Sequence, residues 1–484
     1  MSYETAVARM YALGHELANT PSHKFDLAHM RALLGALNHP EQKFPGVLIA
    51  GTNGKGSTAA TLASILRASG LRTGLYTSPH LVRMNERIRI SGTEISDNDF
   101  AMLHDVVDRT AERLVEDGEL PWHPSFFEML TAIAFEYFAQ NKVGIAVLEV
   151  GMGGRLDATN VIEPRVSVIT DISLDHQKFL GNTVAEIARE KAGIIRPGGV
   201  VVTLPQHPQA NNVIGNRILE LGAQGMSAVP YVPPVSPGSV EYMVRTGESA
   251  AERRKNAAHG TSHGSRAQAN QAPAGRQKDD ERNATAVSRY PLQVMGQQIL
   301  VDTPLVGRHQ LRNIALAIAT AEVLSHQGFA INPETIERGI CETRWPGRFE
   351  VIRAERNTPE FVFDVAHNPA GAWALRSTLS ACYEDRPLTL VFGAMSDKAI
   401  GEMAEILFPL AERVIVTRAD NPRSATPGEI REAAARTSTD IEDAVDVASA
   451  LNRARSLAGS QGVVVVTGSI YIVGEAMRVL GIKV

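Results

Sequence analysis

The sequence predicts an α/β protein of two domains, each built on a parallel sheet. Short apolar runs alternate with helix-patterned stretches, a glycine-rich segment joins one such run to a helix, and a second alternating series starts after Pro346-Gly347. At 484 residues the chain is too long for one hydrophobic core, since domains hold roughly 100–200 residues. Two domains are therefore expected, at 1–345 and 346–484, with the proline and glycine as the hinge.

The elements follow in order. Met1 to Leu17 has apolar residues at helical spacing among Glu4, Arg9, His15 and Glu16, which fits neither a signal h-region nor a transit peptide. Gly46 to Ala50 is a short apolar run, and Ser57 to Ser69 carries Leu62, Ile65 and Leu66 at helical spacing. Further strands are predicted at Val143 to Val150, Arg165 to Thr170 and Val200 to Thr203, with helices at Phe126 to Asn141 and Thr183 to Ile194. Arg308 to Gln327 reads as a long helix with Leu311, Ile314, Ala315, Ile318 and Val323 on one face. Beyond the hinge, strands are expected at Glu360 to Val365, Leu388 to Phe392, Arg413 to Thr417 and Gly462 to Thr467. These make a smaller doubly wound sheet.

From Glu248 to Arg289 hydrophobes nearly vanish, and Ala, Asn, Gln, Gly, Arg and Ser dominate. Such a stretch cannot offset its ordering entropy by burial, so a disordered surface insertion within the first domain is expected. Its basic residues, among them Arg253, Arg254 and Lys255, are diluted by Glu252, Asp279, Asp280 and Glu281. A nucleic-acid-binding role is therefore disfavoured, and the formal net charge of −5 gives no general attraction for polyanions. No apolar run approaches the ~20 residues needed to span a bilayer, so a cytoplasmic protein without membrane contact is expected. Cys341 and Cys382 show no metal-ligand spacing and read as reduced structural thiols.

Gly51-Thr52-Asn53-Gly54-Lys55-Gly56-Ser57 carries the chemistry most plainly. Between a strand and a helix, glycines let backbone N–H groups face phosphate oxygens, the helix N-terminus favours negative charge, and Lys55 can neutralise the β/γ oxygens. The spacing departs from the usual P-loop: Ile49 stands where glycine is expected, and the hydroxyl comes at Ser57 rather than directly after the lysine. Glu149 closes an apolar run before Gly151, Gly153 and Gly154, presenting a carboxylate at a strand's C-terminal end, where open α/β sheets bind ligands. A hard oxygen donor there suits Mg²⁺, although a salt-bridged carboxylate would read the same way. By spacing alone, His176 beside Asp175 and Lys191 beside Glu190 read as structural or solvated residues.

The GTNGKGS loop resembles the P-loop of the Mur ligase superfamily, and in this form its folate branch, the dihydrofolate synthase/folylpolyglutamate synthases. Further stretches resemble that branch in the same order: Tyr76 to Arg83 with Asn85 to Arg87, Leu148 to Asn160, Leu174 to Gln177, Arg189 to Ile194, Trp345 to Phe349 and Phe363 to Pro369. The resemblance covers nearly the whole chain outside the insertion. It implies an ATP-binding P-loop domain over 1–345 and a Rossmann-like glutamate ligase domain over 346–484. By the same resemblance, Ser57, Ser78, Glu149 and His176 hold two magnesium ions, with Ser78 and Glu149 on one and His176 helping with the second. Lys191 is then carbamylated, turning a cation into an anion that supports the second ion. Asn313, Arg348 and Asp364 join residues 51–57 in binding ATP, so the site is expected to form between the domains, and His367 orients the nucleotide or the incoming amine. Lys24, Phe25, Asp26, Leu27, Phe127, Glu128, Arg155, Leu156, Asp157 and Ala158 fall on the pterin-contacting stretches, where a loop-stabilising role is the alternative.

The reaction so implied joins L-glutamate to dihydropteroate, to a reduced folate, or to both, through an acyl phosphate, releasing ADP and phosphate. His80 and the Leu156 to Ala158 loop resemble the bifunctional members. Each chain carries both halves of the site, so a monomer is expected. The alternatives are a Mur-type ligase acting on a cell-wall precursor, which the stretches at 78–81 and 156–159 argue against, and a non-catalytic nucleotide-binding relative.

Overall fold

A computed structural model describes residues 1–14, 27–234, 240–245, 285–352, 358–437, 439–482 and 484. The chain forms two compact units. The first comprises Met1–Ser239, Tyr290–Thr303 and Arg308–Trp345, and the second comprises Val240–Arg289, Pro304–Gly307 and Pro346–Val484. The described parts of Val240–Arg289 thus fall with the second unit, although they precede Trp345 in sequence.

The first unit is built on eight strands: β1 (Gly46–Ala50), β2 (Thr73–Tyr76), β3 (Ile88–Ile90), β4 (Thr93–Glu94), β5 (Ile145–Glu149), β6 (Pro164–Ile169), β7 (Val200–Thr203) and β8 (Gln224–Ser227). They lie in the order β4-β3-β2-β5-β1-β6-β7-β8. The ladders from β2 to β8 are parallel, while β3 and β4 add an antiparallel edge. That edge departs from the all-parallel expectation, because three- and two-residue strands are too short to show a period. β1 and β5 are buried at every position, which is why they read as continuous apolar runs rather than alternating ones.

The helices of this unit are α1 (Tyr3–Ala12), α2 (Leu27–Ala36), α3 (Lys55–Ala68), α4 (Asp97–Glu116), α5 (Phe126–Gln140), α6 (Gln177–Leu180), α7 (Val184–Ala192), α8 (Pro208–Glu220), α9 (Arg308–His326) and α10 (Pro333–Cys341). Ser96, Ser125 and Thr183 cap α4, α5 and α7 by accepting from the third residue inside each helix. In α5 and α7, Glu128 and Glu186 return the bond and close capping boxes. The core beneath gathers Leu33, Leu48, Tyr76, Phe100, Phe135, Phe138, Leu148 and Ile169.

The predicted insertion was drawn too long. Residues 285–289 belong to β10 (Thr285–Val294) and pair antiparallel with β9 (Glu241–Arg245), while residues 248–284 lie outside the described residues. Val287, Tyr290, Leu292 and Val294 of β10 are buried at alternate positions or nearly so, a strand period hidden by the polar stretch before it. β11 (Gln297–Thr303) follows in the first unit.

The second unit holds β12 (Glu350–Ile352), β13 (Glu360–Phe363), β14 (Leu388–Phe392), β15 (Arg413–Val416), β16 (Ile441–Asp443) and β17 (Val463–Thr467), in the order β12-β13-β17-β14-β15-β16. All pairings are parallel except that of β12 with β13. Its helices are α11 (Pro369–Cys382), α12 (Ile400–Leu407), α13 (Pro427–Ala433), α14 (Val447–Ala458) and α15 (Ile470–Val479). Val362, Leu390, Phe392, Val414, Val416 and Val463 form its core. Cys341 and Cys382 form no disulfide, and burial pushes Cys382 up to about 11, which keeps it protonated and inert at neutral pH. Among the described residues no helix is long and apolar enough to cross a membrane.

Candidate active site

Four neighbouring strands of the first sheet, β2, β5, β1 and β6, deliver their C-terminal ends side by side. β1 leads into Gly51 to Ser57, β5 ends on Glu149 next to it, β2 leads to Ser78, and β6 leads to Asp171 and on to His176. Parallel strands put all of these segments at one edge of the sheet, the usual place for ligands in such folds.

The phosphate loop is shaped by what packs against its glycines. Gly54 stands at φ +88° immediately before α3, and a Cβ there would overlap Asn313 Oδ1. A Cβ on Gly56 would come within 2.7 Å of the Trp345 ring, and one on Gly51 would overlap the Thr170 side chain. The loop is therefore glycine-rich because three side chains press on it, as much as for phosphate access. Its first amides are already used: Thr52 N and Asn53 N donate to Asp171 O at 2.9 and 3.2 Å. Thr52 Oγ1 donates to Ser173 O at 3.0 Å and accepts from Ser173 N at 3.1 Å.

Two lysines converge on one carbonyl. Lys191 Nζ donates to Gly51 O at 2.7 Å, and Lys55 Nζ donates to Gly51 O and Thr52 O at 3.2 Å each. Lys191 is buried at 4% exposure. Burial and then the Lys55 ammonium push its pKa down to about 7, against the opposing carboxylates of Asp175 and Asp157. A large fraction of Lys191 is thus a neutral, nucleophilic amine near neutral pH.

Glu149 is buried at the end of β5, and its Oε2 accepts from Ser78 N at 3.2 Å. Ser57 is buried in the first turn of α3. His176 takes a left-handed conformation at φ +50° ahead of α6, its N–H donating to Asp175 Oδ1 at 2.9 Å and its Nε2 lying 3.9 Å from Asp175 Oδ2. Among the described residues no cluster of three or more His, Cys, Asp or Glu forms a cage. A single carboxylate with serine hydroxyls at a phosphate loop fits Mg²⁺, which keeps several waters and takes phosphate oxygens as ligands.

In the second unit, Asp364 is buried at the end of β13 and accepts from Phe349 N at 3.0 Å and Ala366 N at 2.9 Å. Burial raises it to about 6, with Arg348 pulling the other way. His367 Nδ1 lies 2.9 Å from Val365 O and so carries its proton there. The cap of α11 is Asn368, which accepts from Gly371 N at 2.8 Å.

Residues 347–470 match the family described as Mur ligase, glutamate ligase domain. The chain is 32% identical over 461 residues to the dihydrofolate synthase/folylpolyglutamate synthase of Bacillus subtilis (strain 168), spanning 93% of this chain and 94% of that protein. The chain belongs to the dihydrofolate synthase/folylpolyglutamate synthase family. Another member, the folylpolyglutamate synthase of Lacticaseibacillus casei, is 34% identical over 90% of this chain and 88% of its own. The fold agrees: a Mycobacterium tuberculosis folylpolyglutamate synthase complexed with ADP and AMPPCP superposes with a TM-score of 0.78 at 30% identity, covering 99% of both chains.

Other residues singled out through the folate-synthase motifs are engaged by partners within the chain. Glu128 Oε2 accepts from Ser125 N and Oγ at 2.8 and 2.7 Å, and its Oε1 pairs with His29 Nδ1 at 3.1 Å. Asp157 accepts from Met152 N at 3.0 Å, Thr159 N at 3.0 Å and Thr159 Oγ1 at 2.6 Å, capping the turn that holds Ala158, and burial raises its pKa. Arg155 pairs with Glu190 at 3.0 Å, beside a half-buried Leu156. Phe127 is half-buried, tilted against Tyr76 and pressed on Gly151. Leu27 opens α2, whereas Lys24, Phe25 and Asp26 lie outside the described residues. Sequence reasoning missed Asp171, Arg312, Gln310 and Ser173. Asp171 carried a signal, a carboxylate just past an apolar run, and Arg312 directly precedes Asn313.

Proposed function

We propose that this protein is an ATP-dependent ligase that joins L-glutamate to a pterin-bearing acid, dihydropteroate, a reduced folate, or both, releasing ADP and phosphate. The observation that carries this reading is the convergence of Lys55 and Lys191 on Gly51 O at a phosphate loop, in a chain of this family. A carboxylate is a poor electrophile. Its oxygen therefore attacks the γ-phosphorus of ATP, ADP leaves, and the glutamate amine then attacks the acyl carbon, expelling phosphate and losing a proton. Lys55 faces the transferring phosphoryl group, where positioning and electrostatics supply most of the rate.

Ser57, Ser78, Glu149 and His176 are the proposed holders of magnesium, which when bound would offset phosphate charge. Lys191 enters as the proposed carbamate: its neutral amine attacks carbon dioxide, an N–C bond forms and a proton is released. Arg348, Asp364 and His367 are proposed nucleotide- or amine-facing residues through family resemblance alone. Phe127, Arg155, Leu156 and the turn at Asp157 and Ala158 are proposed to line the pterin side. A cytoplasmic monomer is the proposed working form. The relatives' names divide between bifunctional and folylpolyglutamate-only enzymes at similar identity, so identity does not choose the acceptor.

The test is magnesium-dependent ADP release with ATP and L-glutamate, adding dihydropteroate in one reaction and tetrahydrofolate in another. Glutamylated product in both is expected. Product in only one restricts the acceptor, and product in neither removes the folate assignment.

A further inference from the structure

The segment 170–173 after β6 is the base on which the phosphate loop hangs. Asp171 O accepts both Thr52 N and Asn53 N, Ser173 exchanges two hydrogen bonds with the Thr52 hydroxyl, and the Thr170 side chain fills the space at Gly51. The same segment runs on to Asp175 and His176. Two side chains fix it from outside. Gln206 Oε1 accepts from Ile172 N at 2.7 Å. Arg312 grips the Asp171 carboxylate with both arms, Nε to Oδ2 at 2.9 Å and Nη2 to Oδ1 at 2.5 Å, while Nη2 also donates to Pro205 O at 2.9 Å.

Arg312 stands on α9 directly before Asn313, whose Oδ1 lies against Gly54 and whose Nδ2 donates to the buried Gln310 Oε1 at 2.9 Å. The fork at Asp171 therefore ties the helix that carries Asn313 to the segment that carries the loop amides. We propose that the Asp171–Arg312 pair is a positioning device for nucleotide: it sets the spacing between Asn313 and the phosphate loop, and acts on ATP rather than on glutamate or the pterin acid. This rests on the ligase reading above.

Both partners are about one-third exposed, at 31% and 37% of their side chains, so as a simple brace the pair would contribute little to stability. A planar, bidentate pair instead fixes direction as well as distance, which lysine at the same place cannot reproduce. That contrast separates positioning from bracing.

The experiment measures binding of a fluorescent ATP analogue with magnesium, the three substrate KM values and the melting midpoint for the full-length chain and its variants. Arg312→Ala and Asp171→Asn are expected to weaken analogue binding and raise the KM for ATP by about tenfold, the scale of coupling through a positioning contact. The KM for glutamate and for the pterin acid, and the melting midpoint without nucleotide, should stay near wild type. Arg312→Lys should fall between, and the exchange Asp171→Arg with Arg312→Asp should regain part of the loss. ATP binding unchanged in a folded Arg312→Ala would overturn the proposal, as would a parallel loss for all three substrates that tracks a fall in melting midpoint. A wild-type chain that binds the analogue but forms no glutamylated product would overturn the ligase reading while the pair is still judged by binding.

Discussion

Charged side chains around the phosphate loop and those of the 126–160 region are anchored in contrasting ways. At the loop, Lys55 spends two of its three donors, on Gly51 O and Thr52 O, and keeps one for a ligand, while Lys191 rests on Gly51 O alone. Across 126–160, Glu128 accepts from Ser125 N and Oγ and lies beside His29, and Asp157 accepts three hydrogen bonds from the chain itself. The first arrangement leaves groups poised for a ligand, whereas the second consumes them in holding a loop still. Motifs mark both kinds alike; only the partners distinguish them.

The contrast is broken most directly at Lys55. If Lys55 faces phosphate as proposed, Lys55→Ala should lower turnover by on the order of a thousandfold or more, with melting and far-ultraviolet dichroism near wild type, because that cation is lost and no core is disturbed. Turnover within tenfold of wild type would sink the role of the cradle.

Lys191 gives the next largest effect, in pH. Its folded pKa of about 7 lies below the 10.5 of the unfolded chain. Between these values only the unfolded chain holds the proton, so stability should rise with pH through that window, by on the order of 5 kcal/mol at most. Below pH 7 the amine is charged in both states and the penalty of burying it is fully present. Urea unfolding in carbon-dioxide-free buffer from pH 6 to 10 measures this, and Lys191→Met should flatten the profile. An equally steep rise in that variant would assign the dependence elsewhere.

Glu128→Ala and Asp157→Ala should each cost about 1–3 kcal/mol of stability, since the donors at Ser125, Met152 and Thr159 lose their acceptor. Activity should fall in step with the melting midpoint. Unchanged melting together with a raised KM for the pterin acid would move either residue from holding a loop to touching substrate.

Much of the fold was legible because buried parallel strands read as plain apolar runs: Gly46–Ala50, Leu388–Phe392 and Val200–Thr203 begin and end where composition placed them. The edge strands at 88–94 and β8 were not legible, because short or exposed strands need no apolar pattern. At the site, Lys55, Glu149 and Lys191 stand out by motif, but Lys191 looked like a solvated partner of Glu190 by spacing, and only burial against Gly51 separates the two. Asp171 and Arg312 lie 141 residues apart, and no local pattern announces a pair made by tertiary packing.

The smallest expected effect concerns the polar stretch, and it sharpens the same distinction between residues that hold structure and residues that do not. Deleting 248–284 removes a segment with almost no hydrophobes, so no core surface is lost, and ATP turnover and melting should both stay near wild type. Deleting 248–289 also removes the half of β10 that pairs with β9, including the buried Val287 and Ser288, whose hydroxyl donates to Leu305 O at 3.2 Å. That longer deletion should lower the melting midpoint, because five ladder residues and a buried strand face go with it. Measured side by side, equal melting of the two would mean that the β9–β10 ladder contributes nothing to stability. Loss of turnover in the shorter deletion with unchanged melting would give the polar stretch a part in the reaction that its composition does not announce.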